Sequence, residues 1–261
     1  INITASVFGT GDKQLSINTS KSTLSIRPAS LFETHVLTNF ETSKKISIRD
    51  FAIDMYDDFA KRELYVSHGS FVLVKPLFEY LNNYKYPCSE QTISKALPYA
   101  LIPNNEFLGI DSKKSTDKIR ETINILQSRQ NDDGSFAMWE SGGSYSRDNE
   151  SNSASAYVTA YVVQFLTIAR DNGFTVPNNM LSRGVDYLRT YAGRNIRDAN
   201  DAQTKAFAIY VVTRNGFVST SYIDGFEEYA NKNIKDWQSE LSGAYIAASY
   251  KLLKQDDKAN S

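Results

Sequence analysis

The spacing of the hydrophobic residues changes its period near residue 67. Before that point apolar and polar residues alternate in short runs, at residues 1–8, 15–17, 24–27, 46–49 and 64–66. Alternation with a period of two predicts β-strands, and the polar residues between the runs predict turns. Residues 1–67 are therefore expected to form a short β-sandwich segment, or part of one.

From residue 68 onward the apolar residues recur every three or four positions, which predicts helices. About eight helices are expected, with their apolar faces at residues 71–81, 93–100, 119–126, 157–169, 185–191, 206–212, 226–234 and 241–253. Short polar connections favour antiparallel helical hairpins. Because no strict repeat is visible, a mainly α fold of unlike hairpins, an α/α toroid over residues 68–261, is favoured over a regular repeat array. The polar turn and aromatic residue at 130–136 are typical of such toroids.

Composition and charge argue against nucleic-acid binding and against a membrane-spanning segment. The chain has 261 residues, a net charge of −1 and 41% hydrophobic residues, as expected of a globular protein. No cluster of basic residues indicates nucleic-acid binding, and no apolar run reaches the roughly 18 residues that span a bilayer. No cofactor or metal site is predicted. The chain begins with Ile1 and shows no signal peptide, so an internal fragment of a longer chain is expected.

The single cysteine, Cys88, stands in a reactive context. It cannot form an intrachain disulfide, and a lone cysteine is often only a small buried hydrophobe. However, Pro87 predicts a turn or a first helical position, which places Cys88 at a helix N-terminus, where the helix dipole favours thiolate. Gln91 lies three residues later, on the same face. Attack of the thiolate on the Gln91 side-chain carbonyl, with loss of ammonia, gives an internal thioester.

A thioester survives only if water is kept away from it. Candidates for a dry aromatic wall are Tyr84, Tyr86, Phe136, Met138 and Trp139. Ordinary core packing is the alternative explanation for these side chains.

The sequence resembles the thioester-containing domain of the bacterial alpha-2-macroglobulin family, a complement-like thioester domain. The reactive motif of that family, Cys-x-Glu-Gln, is matched by Cys88-Ser89-Glu90-Gln91. The resemblance extends over residues 67–253, through segments 80–84, 91–98, 126–130, 133–136, 158–163, 206–210 and 244–246. The preceding segment, residues 1–67, resembles part of a CUB-like β-sandwich less specifically.

The resemblance implies a broad-spectrum protease trap that is not an enzyme. A bait segment elsewhere in the full chain is cleaved, and the Cys88–Gln91 thioester then acylates lysine amines of the attacking protease. Glu90 is expected either to stabilise the helix N-terminus or to assist ring closure. The other domains of the same chain are expected partners, and the periplasm or cell envelope of a bacterium is the expected location. The last helices of a closed toroid are expected to be missing from this chain.

Two departures from the family pattern bear on the chemistry. Pro87 stands where the family commonly has a glycine before the cysteine. Relatives that prefer hydroxyl targets carry a catalytic histidine downstream, whereas His35 and His68 both precede Cys88. Without a downstream general base, direct attack by amines is predicted.

Two other functions remain open from the residues. Residues 130–136 also resemble the repeat of terpene cyclases, which are toroidal enzymes, but the acidic residues at 54–58 have the wrong spacing for their Asp-x-Asp-Asp motif. Alternatively, the 16 tyrosines suit a helical protein-binding module in which Cys88 is inert.

Overall fold

The computed structural model describes residues 2–8, 14–21, 56, 58, 60–66, 69–140 and 152–260. It divides into two compact units, Ile1–Tyr65 and Val66–Ser261. The assignment of residues 1–67 and 68–261 to a CUB-like and a thioester-containing domain stays a prediction.

The first unit contains a β-hairpin. Strands β1 (Asn2–Phe8) and β2 (Gln14–Lys21) pair antiparallel, which confirms strands in the first two alternating runs. The runs at 24–27 and 46–49, and with them the predicted sandwich, lie outside the described residues. The strand expected at 64–66 is wrong, because residues 61–66 are not in a strand and both Leu64 and Val66 are exposed. Alternation alone does not make a strand, because a strand also needs the backbone hydrogen bonds of a neighbouring strand.

The second unit is helical, and its long helices follow the predicted faces closely. In the part of the chain that the structure describes, they are α1 (Val74–Asn83), α2 (Ser89–Leu101), α3 (Ser112–Gln127), α4 (Asn152–Asp171), α5 (Asn178–Ala192), α6 (Ala199–Arg214), α7 (Thr220–Asn233), α8 (Leu241–Leu252) and the short α9 (Asp256–Ala259). Gly173 and Gly216 follow α4 and α6 with φ of 85° and 92°, the left-handed conformation that commonly ends a helix.

These helices form two layers. Helices α2, α4, α6 and α8 contact one another in succession, while α3 lies against α2 and α4, α5 against α4 and α6, and α7 against α6. Each even-numbered helix thus has neighbours on several sides. Its apolar residues are correspondingly buried, as for Phe165 and Leu166 of α4 and Ala206 and Ile209 of α6.

The hydrophobic core runs through both layers. One large cluster joins α2 to α6 and includes Ile93, Ile119 and Leu188, and a second cluster around Phe226 and Trp237 joins α6, α7 and α8. No helix among the described residues is both long enough and apolar enough to cross a membrane. The start of α2 lies at the edge of the larger cluster, with Cys88 immediately before Ser89.

Candidate functional site

Cys88 occupies the N-cap position of α2. Its backbone is extended, with φ −66° and ψ 164°, and its side chain caps no backbone N–H of the helix. The carbonyl of Cys88 accepts the N–H of Thr92 at 2.9 Å, the first hydrogen bond of the helical ladder. The cysteine is a free thiol with only 6% of its surface exposed. The sequence-based expectation of a helix N-terminus at this residue is confirmed.

Glu90 and Gln91 lie in the first turn of the same helix. Both residues are half-buried, but the side-chain oxygen Oε1 of Gln91 is buried and accepts no hydrogen bond from the described residues. Buried carbonyl oxygens are nearly always paired, because an unpaired one costs about 1–3 kcal/mol. The unpaired oxygen lies one helical turn from the cysteine.

Ser89 joins this helix start to a distant loop. Its backbone N–H donates to the carbonyl of Met138 at 2.9 Å, and its hydroxyl donates to the carbonyl of Ala137 at 2.7 Å. The serine is completely buried. The first N–H of α2 and the residue after Cys88 are therefore fixed by a loop 48 residues away in the chain.

Arg129 completes this connection from the end of α3. Its Nη2 donates to the carbonyl of Pro87 at 2.7 Å, and its Nη1 donates to the hydroxyl of Ser89 at 3.2 Å and to the carbonyl of Met138 at 3.5 Å. Only 7% of the residue is exposed. Burial lowers the pKa of Arg129, whereas Cys88 and Glu140 act electrostatically in the opposite direction. We call Pro87, Ser89, Arg129, Ala137 and Met138 the clamp.

The loop at residues 130–136 positions the clamp residues Ala137 and Met138, which follow it in the chain. Gly134 has φ 89°, and a Cβ there would lie 2.3 Å from the carbonyl oxygen of Arg183, so the loop passes where only glycine fits. Gln130 donates to the carbonyl of Met180 at 2.9 Å, and the N–H of Phe136 donates to the hydroxyl of Thr159 at 2.8 Å. The loop is thereby tied to α4 and α5. The N–H of Ala137 then donates to the carbonyl of Arg129 at 2.9 Å, which closes the loop on itself.

The other side of the first turn faces α4. The Ser94 hydroxyl donates to the carbonyl of Glu90 at 2.9 Å and shares a 3.0 Å hydrogen bond with the Tyr161 hydroxyl. Tyr161 stacks on Tyr157 with ring centres 6.4 Å apart. Burial, and to a smaller extent the nearby charge of Glu90, raise the pKa of both tyrosines. Both phenols are therefore neutral hydrogen-bonding groups at physiological pH.

The candidate wall residues separate into two groups. Phe136 is fully buried in the large core cluster, where it packs near Gly184, so core packing accounts for it. Tyr84 and Met138 are half-buried, and the Tyr84 ring meets the Tyr86 ring edge-on at 5.7 Å. Tyr86 and Trp139 are 65% and 41% exposed. Their large exposed rings are available to other surfaces.

Sequence reasoning missed the two residues that fix the helix start. Ser89 lies inside the Cys-x-Glu-Gln motif, at its variable position. Arg129 lies 41 residues after Cys88, and its only signal is a basic side chain directly before the polar loop, a pattern also typical of an exposed helix end.

Comparison with known proteins shows which proteins this chain is similar to. It matches no family model. It is 32% identical over 243 residues to an alpha-2-macroglobulin of Rickettsia conorii, and 32% identical over 258 residues to an alpha-2-macroglobulin homolog of Yersinia pestis. These matches cover 91% and 97% of this chain but only 12% of each relative.

The fold is that of the C-terminal part of a bacterial alpha-2-macroglobulin. The native Escherichia coli protein, in a crystal structure from domain MG7 to the C-terminus, superposes with a TM-score of 0.58 at 24% identity, covering 71% of this chain and 29% of the other. Together with the relatives at 32% identity, this shows that the chain belongs to the alpha-2-macroglobulin family.

Proposed function

We propose that Cys88 and Gln91 form an internal thioester, and that the full protein uses it to trap proteases. Cleavage of a bait segment elsewhere makes the thioester accessible, and a lysine amine of the attacker becomes acylated by Gln91. Membership of the alpha-2-macroglobulin family supports protease inhibition. The bacterial relatives support a cell-envelope location, which we also propose. The succession α2, α4, α6 and α8, flanked by α3, α5 and α7, supports the arrangement of an α/α toroid.

The observation that carries this proposal is the pair of buried groups in the first turn of α2. A free cysteine is held at the N-cap, one turn before a glutamine whose buried carbonyl oxygen has no hydrogen-bond donor in the part of the chain that the structure describes. A carboxamide that is structural normally fills such a position with a partner. A carbonyl that is to become an acyl group needs instead to be kept from water, and the burial of the Gln91 oxygen supports this requirement.

The chemistry balances without a cofactor. In ring closure the sulfur of Cys88 attacks the side-chain carbonyl carbon of Gln91, the carbon–nitrogen bond breaks, and the nitrogen leaves as ammonia with the thiol proton. In trapping, an amine attacks the same carbon, the carbon–sulfur bond breaks, and the sulfur leaves as thiolate while the amine loses a proton to solvent. Glu90 is proposed to support the site, either by its charge at the helix N-terminus or by assisting ring closure.

Peptide mass mapping tests the thioester directly. In the full-length protein, the peptide that carries Cys88 and Gln91 should be about 17 Da lighter than its sequence, because one ammonia is lost. Methylamine should release a thiol at Cys88 and leave a methylamide on Gln91. Cys88→Ala and Gln91→Ala should abolish amine uptake, whereas Gln127→Ala, an exposed glutamine at the end of α3, should retain it.

Two results oppose the proposal. A peptide of full sequence mass, with Cys88 free and glutamine still at position 91, shows that no thioester formed. It then favours the helical binding module with an inert cysteine. Amine uptake that persists in Gln91→Ala places the reactive group elsewhere.

A further inference from the structure

Arg129 is a buried cation that forms no ion pair with any of the described residues. Its hydrogen bonds all go to neutral oxygens, those of Pro87, Ser89 and Met138, and its Nε is buried with no acceptor among the described residues. Glu140 acts on it only through space, from a largely exposed position. A buried charge without a counter-charge is costly, so its retention at this place needs a reason.

Of the two acidic groups that act electrostatically on Arg129, Cys88 has a larger effect than Glu140. Pro87 and Ser89, the residues on either side of the cysteine, both accept hydrogen bonds from the guanidinium, and a negative charge at Cys88 interacts favourably with it. While Cys88 carries a proton or an acyl group it is neutral, and Arg129 lacks its anion. When the sulfur is a thiolate, the pair is complete.

We propose that Arg129 is a positioning residue that holds the turn around Cys88 and supplies the counter-charge for its thiolate. This inference rests on the proposed thioester and deepens it. In ring closure the thiolate is the attacking group, and in aminolysis it is the leaving group, so the same cation favours both steps. Because the thioester itself is neutral, Arg129 stabilises the states on either side of it more than the resting state.

The decisive experiment measures the reactivity of Cys88 in a variant that cannot form the thioester. In the full-length protein carrying Gln91→Ala, Cys88 has no acyl partner and its alkylation by iodoacetamide can be followed by peptide mapping, from about pH 6 to about pH 9. Adding Arg129→Met should slow this alkylation on the order of tenfold near pH 7 and shift its pH profile to higher pH. Adding Arg129→Lys, which keeps the charge, should restore most of the rate.

Controls separate charge from folding. All variants should react at one rate in strong denaturant, and their helical circular dichroism should match the parent. Arg129→Gln keeps donors for Pro87 and Ser89 without the charge, so it should show the same slowed alkylation as folded Arg129→Met. If the methionine variant fails to fold, the glutamine variant takes its place in the comparison. Equal rates and pH profiles for arginine, methionine and glutamine at position 129 overturn the proposal. So does an equal loss in the lysine and glutamine variants, since that indicates shape rather than charge.

The proposed function and this inference fail separately. A peptide without the 17 Da deficit in the wild type contradicts the thioester, whereas the Arg129 effect is measured in the Gln91→Ala background, where no thioester can form. If both hold, Arg129→Met on the wild-type background should also slow methylamine uptake on the order of tenfold, with Arg129→Lys close to wild type.

Discussion

Helices α2 and α6 differ in how the backbone N–H groups of their first turns are hydrogen-bonded. Every α-helix begins with backbone N–H groups that lack partners within the helix. At α6 the carboxylate of Asp198 accepts the N–H of Asp201 at 2.8 Å, an ordinary side-chain cap. At α2 the residue in the same position is Cys88, whose side chain caps nothing, and the clamp supplies the acceptor from another part of the chain.

The buried charges beside the two helix starts also differ: those near α6 have partners of opposite charge, and the one near α2 has none in the clamp. Asp201, 1% exposed, accepts hydrogen bonds from the Tyr191 hydroxyl at 2.7 Å and from both the backbone and the guanidinium of Arg197 at 3.0 Å. Lys205, equally buried, donates to the carbonyls of Tyr191 and Arg194 and interacts with Asp201. This cluster contains both signs of charge. The clamp contains a cation and no anion.

This difference in partners indicates a structural role for the Asp201 cluster and a chemical role for the site at α2. A buried polar cluster whose members all have partners fixes a structure, and the Asp201 cluster fastens residues 191–197 to α6. The site at α2 gives up stability, because among the described residues its buried Gln91 oxygen has no donor and its buried cation has no ion-pair partner. Such a site is a candidate for chemistry, where the missing partners are formed during a reaction.

The largest expected effect is on stability, at the Asp201 cluster. Asp201→Ala leaves Lys205 without its counter-charge and the Tyr191 hydroxyl without its acceptor, so the free energy of unfolding should fall by about 3 kcal/mol. Urea unfolding followed by circular dichroism measures this. Asp186→Ala, which breaks an exposed pair with Arg189, is the control and should cost less than about 1 kcal/mol.

This prediction also tests the separation of the two sites. In folded Asp201→Ala protein, alkylation of Cys88 in the Gln91→Ala background should keep its rate. Equal costs for Asp201→Ala and Asp186→Ala, or a change in Cys88 reactivity, contradict the comparison.

A smaller effect is expected from the clamp. Ser89→Ala removes the donor to Ala137 and an acceptor of Arg129, and should lower the free energy of unfolding by about 1–2 kcal/mol. Ser128→Ala is the matched control, because that hydroxyl bonds only to the local Ile125 carbonyl at an exposed position, and it should be nearly neutral. Here the larger consequence should be chemical, a shorter thioester lifetime seen by peptide mass mapping. If Ser89→Ala matches Ser128→Ala in both unfolding free energy and thioester lifetime, Ser89 does not stabilise the helix start.

The sequence predicted what local periodicity and turn chemistry determine. The faces of α1 to α8 follow the spacing of apolar residues. Pro87 also indicated the helix start at Cys88. The short α9 and the 3-10 turns were missed, since one turn of helix carries no clear period.

The polar partners could not be predicted, because they are created by folding. Arg129 reaches Pro87 across 42 positions of the chain, and Gln130 reaches Met180 across 50. Neither separation has a spacing rule. Asp201 and Lys205 have helical spacing, but an i, i+4 pair of opposite charges normally indicates an exposed face, and only packing against Tyr191 buries it.

The smallest expected effect distinguishes the two sites by pH. Burial acts to raise the pKa of Asp201, but hydrogen bonds from Tyr191 and Arg197 outweigh it, and the net direction is downward. The stability contributed by the ionised carboxylate is therefore fully present above its unfolded-state pKa of about 3.9 and is lost as the pH falls through the lower folded value. The difference in unfolding free energy between wild type and Asp201→Asn should shrink below about pH 4. The Ser89→Ala difference should stay constant over the same range, because neither the Ser89 hydroxyl, the Ala137 carbonyl nor the Arg129 guanidinium titrates there. Parallel pH profiles for the two variants would show that both helix starts rest on the same kind of interaction.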